Sequence, residues 1–224
     1  MGAIEPLSTR RETSKAERRQ RIVEAAEALV RKNGFDKVSM TQIADQAGVA
    51  PATLYNLFET KRAIFRQVFD LDLEKYEQLV AELPARGAIN KIFASIDLAA
   101  SLYRRDPEFY RAMARGGGAE ADGLRSDISE PRTAFWRVQI AAAVAQGQLR
   151  SNTKSEIVAV ALSQQMRGAF MEWAGRIISP ERMAEETAYG FAMALLAHAS
   201  EKSAPSLKTR LKRIEIALAA SGRK

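Results

Sequence analysis

The sequence predicts an all-α protein in two parts, an N-terminal three-helix unit built around a helix-turn-helix and a larger helical body joined to it. Three observations predict this. Apolar residues recur at the helical period along most of the chain, and no alternating β-branched run is long enough to make a strand. Two short apolar-striped segments flank Gly48. Beyond residue 63 the segments lengthen and are separated by Gly, Pro and Ser signals.

The first helix is expected over about 15–32, with Ile22, Ala26, Leu29 and Val30 as its apolar stripe and Asn33-Gly34 as its stop. Residues 1–14 read as a flexible basic arm. Ser39 and Gln42 have the spacing of a capping box, in which each side chain satisfies a free amide of the first turn, so a short helix is expected from Met40 to Ala47, ended by Gly48. Pro51 lacks an amide that the first helical position leaves unbonded anyway, and it starts a second short helix through Phe58. Thr60 caps a longer one carrying Ile64, Phe65, Val68, Phe69, Leu73, Tyr76 and Leu83, which stops at Pro84. Further helices are expected near 88–104, 107–115, 128–147, 154–177 and 181–200, with 116–123 as a flexible glycine loop. Residues 201–224 form a basic C-terminal segment, amphipathic over 207–220; lying on a membrane and docking on the protein's own body both fit it.

With 46% hydrophobic and 27% charged residues, the 224-residue chain has the balance of a soluble protein that buries a core. It has no cysteine, which excludes disulfides and thiolate-bound metals, and its one histidine, His198, follows Leu195-Leu196-Ala197 in an apolar helical stretch, where an interface or core residue is expected rather than a metal ligand or a member of a Ser-His-Asp set. Glu185-Glu186 do not face one another on a helix, and the glycines at 116–118 lack the Lys-Ser/Thr of a phosphate loop. No enzyme, cofactor or metal is therefore expected. The N-terminus lacks the apolar core of a signal peptide, and the apolar stretches 92–103 and 191–199 fall short of the about 20 residues that span a bilayer, so a cytoplasmic protein without membrane insertion is expected. The net charge of +7 sits at the ends, with 11 Lys/Arg against 8 Asp/Glu in residues 1–62 and 7 against 2 in 201–224. Such ends attract polyanions or are simply solvated.

The segment 40–58, MTQIADQAGVAPATLYNLF, places Ile43, Ala47, Val49, Leu54 and Leu57 at the spacing of the small core between two crossed helices. A major groove about 12 Å wide admits one helix, and small leading residues let its backbone approach the bases. Pro51, Ala52 and Thr53 are small; Asn56 can pair with a base edge, and the Tyr55 hydroxyl can reach a phosphate. Lys61 adds a cation at the amide-rich start of the next helix.

Residues 15–69 resemble the N-terminal domain of the TetR family of transcriptional regulators. The resemblance is carried by Asn33-Gly34-Phe35, Thr41-Gln42-Ile43-Ala44, Ala47-Gly48-Val49, Thr53-Leu54-Tyr55, Phe58, and Lys61 with Ile64-Phe65. It implies phosphate contacts from Tyr55 and Lys61, capping by Thr41 or Gln42, and a base-facing surface of Pro51, Ala52, Thr53 and Asn56. Leu57 departs from the family's Tyr or His, so one phosphate contact is absent, and the donor-free Pro51-Ala52 shifts weight to thymine methyls and DNA shape. Arg10, Arg11, Lys15, Arg18, Arg19 and Arg21 either reach the DNA or form a solvated face.

The resemblance further implies a domain of about 63–200 that binds a small-molecule effector and dimerises, the pair reading a palindromic operator in double-stranded DNA. Helices near 154–177 and 181–200 are the expected homodimer interface, with Ala159, Gly168, Gly190 and Ala194 as close-packing positions. Phe93, Tyr103, Phe109, Tyr110, Met113, Phe135, Trp136, Met166 and Phe170 are candidate pocket residues as a group, while plain core is the better reading of each taken singly. Arg104, Arg105 and Arg137 are candidates to receive an acidic ligand or to lie on the surface. A repressor released by its effector is the expected function; the alternative is a helical ligand-binding or adaptor protein that does not bind DNA.

Overall fold

A computed structural model describes residues 7–115 and 121–220, and the side chains of 12–115 and 130–220. Among these, the elements in order are α1 (Leu7–Asn33), a single 3-10 turn (Phe35–Lys37), α2 (Met40–Ala47), α3 (Pro51–Leu57), α4 (Lys61–Glu82), α5 (Ala88–Arg105), α6 (Pro107–Arg115), α7 (Ala121–Ala145), α8 (Ser155–Ala174), α9 (Pro180–Leu196) and α10 (Ala204–Ala220). No strand occurs among the described residues; an isolated bridge pairs Leu149 with Ala199.

The N-terminal unit closes over one core. Ile22 and Ala26 from α1, Ile43 and Ala44 from α2, Leu54 from α3 and Ile64 and Phe65 from α4 are fully buried together, and the Phe35 ring meets Phe65 at 4.1 Å between centroids. Burial among these four helices contributes about 1.5–3 kcal/mol of apolar transfer energy per large side chain, which is what holds two helices as short as α2 and α3 in place. Gly48 closes α2 in the left-handed region at φ 63°. A Cβ there would meet nothing within 4 Å, so Gly48→Ala is expected to cost only the backbone term, about 1–2 kcal/mol, lowering the melting temperature by a few degrees. A thermal melt by circular dichroism checks this.

The long α4 belongs to both parts. Its first half carries Ile64, Phe65 and Val68 into the N-terminal core, and its second half enters the body, where the Tyr76 hydroxyl donates to the Ser95 carbonyl at 2.8 Å. In the body α7, α8, α9 and α10 pack in sequence, with α5 against both α7 and α9. The start of α5 is capped from a distance: Gln146 accepts from the Ala88 amide at 2.8 Å and Gln148 from the Ile89 amide at 3.0 Å. Gly87 is required beside it, since a Cβ would lie 2.6 Å from the Gln148 side chain.

Three boundaries differ from expectation. α1 starts at Leu7, so 7–14 is helical where an arm was expected; residues 1–6 lie outside the described part. α7 starts at Ala121 and carries Pro131 inside it, although Ser129-Glu130-Pro131 has the look of a helix start. Of the expected glycine loop, 116–120 lies outside the described residues and 121–123 opens α7. The C-terminal segment docks on the body: α10 packs on α9, with Leu207 buried and Arg182 donating to the Leu218 carbonyl at 2.9 Å.

Candidate nucleic-acid interface and ligand cavity

The capping box forms. Ser39 Oγ accepts from the Gln42 amide at 3.2 Å and Gln42 Oε1 accepts from the Ser39 amide at 2.8 Å, so Gln42 is spent on the backbone while Thr41 beside it is exposed. Along α3, Leu54 points inward and is fully buried, Ala52, Tyr55 and Asn56 are turned away from it and exposed, and Pro51 is exposed at the start of the helix. Tyr55 is 53% exposed, a large ring for solvent to surround on so short a helix. Thr53 and Leu57 are half-buried.

The cations are placed less simply than their sequence suggests. Arg19 fastens the end of α3, donating to the Leu57 carbonyl at 2.6 Å with its guanidinium 4.2 Å from the Phe58 ring centroid. Lys61 donates to the Phe35 carbonyl at 2.8 Å and lies 4.5 Å from that ring's centroid, so one of its three N–H donors holds the turn between α1 and α2. Arg18 bonds back to Ser14, and Lys15 is exposed. The side chains of Arg10 and Arg11 lie outside the described residues.

Within the body is a cavity of about 80 Å³ lined by residues of α4, α5, α6, α7 and α8. Seven of the expected pocket residues line it: Tyr103, Tyr110, Met113, Phe135, Trp136, Met166 and Phe170. Two do not. Phe93 is buried on the face of α5 turned toward α10, beneath the Arg210 guanidinium at 4.2 Å, and Phe109 is fully buried beneath Arg31 at 3.7 Å, facing α1. Sequence reasoning assigned residues 63 onward to the effector-binding part but did not name Phe69, Asp72, Leu73 or Tyr76 of α4 for the pocket, and it also missed Leu102 and Arg132.

Arg132 projects from α7 with its guanidinium 4.8 Å from the Phe69 ring centroid and 5.7 Å from that of Phe170. Burial pushes its pKa below the usual arginine value. Burial also pushes the Tyr103 hydroxyl up to about 12. The arginines named from sequence are elsewhere: Arg104 pairs with Glu181 at 2.8 Å, Arg137 with Glu130 at 3.7 Å, and Arg105 is exposed.

A polar cluster joins the cavity to the N-terminal unit. Asp72, in the cavity wall, accepts from the Tyr110 hydroxyl at 3.2 Å and lies 3.9 Å from Arg31 of α1. Arg31 also binds Glu27 at 2.8 Å and Asp106, the residue joining α5 to α6, and Lys75 of α4 holds Glu27 at 2.9 Å. Burial pushes the Asp72 carboxyl up to about 6, Arg31 and Tyr110 opposing it. Burial raises Glu27 as well, but hydrogen bonds from Arg31 and Lys75 outweigh it and hold Glu27 below its ordinary value.

Residues 22–68 match the family model described as bacterial regulatory proteins, tetR family. The chain is 30% identical over 99 residues to the HTH-type transcriptional repressor KstR of Rhodococcus jostii (strain RHA1), a stretch covering 44% of this chain and 47% of that protein. It thus spans about half the length of the curated relatives it matches. Among solved structures, Thermus thermophilus FadR, a TetR-family repressor crystallised with lauroyl-CoA, aligns with a TM-score of 0.65 at 22% identity, over 82% of this chain and 96% of FadR. RolR crystallised with resorcinol aligns with a TM-score of 0.65 at 13% identity, over 90% of this chain and 96% of RolR. At those identities the likeness establishes a common fold, an N-terminal helix-turn-helix with a larger helical domain.

Proposed function

We propose, from the match of residues 22–68 to the tetR family model of bacterial regulatory proteins, that the chain is a sequence-specific DNA-binding transcriptional regulator, a repressor released from a palindromic operator by a small molecule. The observation that carries this reading is the outward face of α3, where Pro51, Ala52, Tyr55 and Asn56 stand exposed above a fully buried Leu54. A helix so presented enters a major groove, with Asn56 on a base edge and Tyr55, Thr41 and Lys61 toward phosphates.

One recognition helix makes few contacts; two on a two-fold axis double them. An unpaired stripe along α8, Ile157, Val160, Ala161, Gln164, Gly168 and Met171, follows the helical period and is exposed, with Met193 of α9 exposed as well. Burying that stripe against its copy makes the homodimer. Of the small residues named for this interface, Gly168 has open space above it, whereas Ala159 is fully buried within the chain and Gly190 is filled by Gln165 of α8.

The cavity supplies the effector site. FadR with lauroyl-CoA and RolR with resorcinol support a ligand within this fold. A ligand pressing on Tyr110 and Asp72 acts on Arg31, and through it on α1, so the two recognition helices leave the about 34 Å spacing of successive major grooves. The test is fluorescence anisotropy of a labelled duplex from the DNA upstream of the protein's own gene, over a salt series and against unrelated DNA. Sequence-preferring binding by a dimer that weakens steeply with salt is expected. Equal, weak binding to both duplexes overturns the reading in favour of a helical ligand-binding or adaptor protein.

A further inference from the structure

We propose that the ligand of this cavity is a small carboxylic acid with an apolar body, held by an ion pair between its carboxylate and the guanidinium of Arg132. The inference rests on the reading of the cavity as an effector site and adds the chemistry of what fills it.

Arg132 is a cation in an apolar wall. Its guanidinium is flanked by the Phe69 and Phe170 rings, and among the described residues no carboxylate lies within ion-pair distance of it and no acceptor bonds it. Arg132 is half-buried, and its guanidinium carries five N–H donors in a planar fork with no protein acceptor among the described residues. A carboxylate matches that fork with two parallel hydrogen bonds. The acid already in the wall does not serve: Asp72 is engaged by the Tyr110 hydroxyl at 3.2 Å and faces Arg31 at 3.9 Å. The ring faces keep the guanidinium in place, so little rotamer entropy is lost when an anion arrives.

The rest of the wall sets the ligand's body. Leu73, Leu102, Met113, Phe135, Trp136 and Met166 offer no charge. At about 10–15 Å³ for each water-sized position, a cavity of about 80 Å³ holds a single ring or a short chain. The acid therefore points to Arg132 and the ring or chain to the aromatic wall.

Both tryptophans report on the site, Trp136 from its wall and Trp173 stacked on Tyr103 at 5.0 Å. The full-length protein without DNA is titrated at neutral pH with benzoate, phenylacetate and hexanoate, and with the primary amide of each, following tryptophan fluorescence. At least one acid is expected to saturate the signal and to bind at least about tenfold more tightly than its amide, because the amide leaves the guanidinium without a charged acceptor. Arg132→Gln is expected to bring acid and amide within about twofold of each other, and Arg132→Lys to retain part of the preference, since an ammonium keeps the charge but not the fork. The wild-type comparison stands even where a variant fails to fold. The proposal is overturned when no acid saturates, when amides bind as well as acids, or when folded Arg132→Gln keeps the preference. Release of bound operator by an amide but by no acid also overturns it and leaves the regulator reading intact; acid preference in a protein that ignores DNA supports it and sinks that reading instead.

Discussion

Ala52→Asp is expected to abolish operator binding while leaving the protein as stable as before. Ala52 is exposed in the first turn of α3, so the substitution disturbs no packing. An acid there also lies beside the free amides of the helix start, where it adds about 0.3–1 kcal/mol of stability. Facing DNA, the same carboxylate removes the close approach to a thymine methyl and sets a negative charge among phosphates. At about 1–3 kcal/mol for each lost base contact, counted in both half-sites of a dimer, the loss is about 100-fold or more. The measurement pairs a thermal melt with anisotropy on the same preparation. Binding within about threefold of wild type would remove α3 as the reading helix, since a base-facing position cannot accept a buried charge so cheaply.

Arg31→Met is expected to carry the largest stability loss of any single partly exposed side chain described above, about 2 kcal/mol, or about 4–8 °C in melting temperature. The variant removes the cation shared by Glu27, Asp72 and Asp106 and bares the Phe109 ring. Arg31 is 35% exposed, so solvent screening keeps the figure below the about 3–5 kcal/mol of a fully buried pair.

The pH dependence separates the partners. The Asp72 carboxyl titrates near 6 in the folded chain against an ordinary 3.8, so its neutral form is the favoured one. Its contribution is fully present below about pH 4 and is lost as pH rises through about 6, a swing of about 3 kcal/mol at most. Glu27 runs the opposite way, since its pKa is lowered: its contribution is present at neutral pH and is lost on acidification. Burial raises Glu77 and Asp97 as well, so Asp72's share of the change between about pH 5 and 7.5 is isolated by substituting it. Asp72→Asn, which still accepts from Tyr110, is expected to melt higher than wild type at pH 7.5 and to converge with it toward pH 4. In the Arg31→Met background the same substitution is expected to recover more stability, because the ionised Asp72 then lacks its nearest cation. A double-mutant cycle of melts checks this, and strict additivity would mean that Arg31 and Asp72 are not coupled.

The N-terminal unit was legible in the sequence because its determinants are local. Ser39 and Gln42 lie three residues apart and close their own box, Gly48 ends α2 at φ 63°, and Pro51 opens α3. The outward positions of α3 then follow from the helical period once Leu54 is known to point inward. The pocket was half legible. Aromatic residues of α5, α6, α7 and α8 were named as a group, but Phe93 and Phe109 lie on faces turned to α10 and α1.

Which residue faces which helix depends on crossing angles set by the whole body. Arg132 has nothing in its neighbourhood of sequence to mark it: Pro131 before it suggests a helix start, and its partners Phe69 and Phe170 arrive from two distant helices. Arg31 likewise looks like a cation ending a helix, where it would favour the dipole. Only the meeting of α1, α4 and α6 brings it to Asp72 in the cavity wall and to Asp106. The sequence by itself determined the short helices α2 and α3, their caps and the exposed positions of α3, because those rest on contacts three or four residues apart. The tertiary structure alone decided the cavity and its charges, because burial brings together groups whose separation along the chain carries no periodic signal.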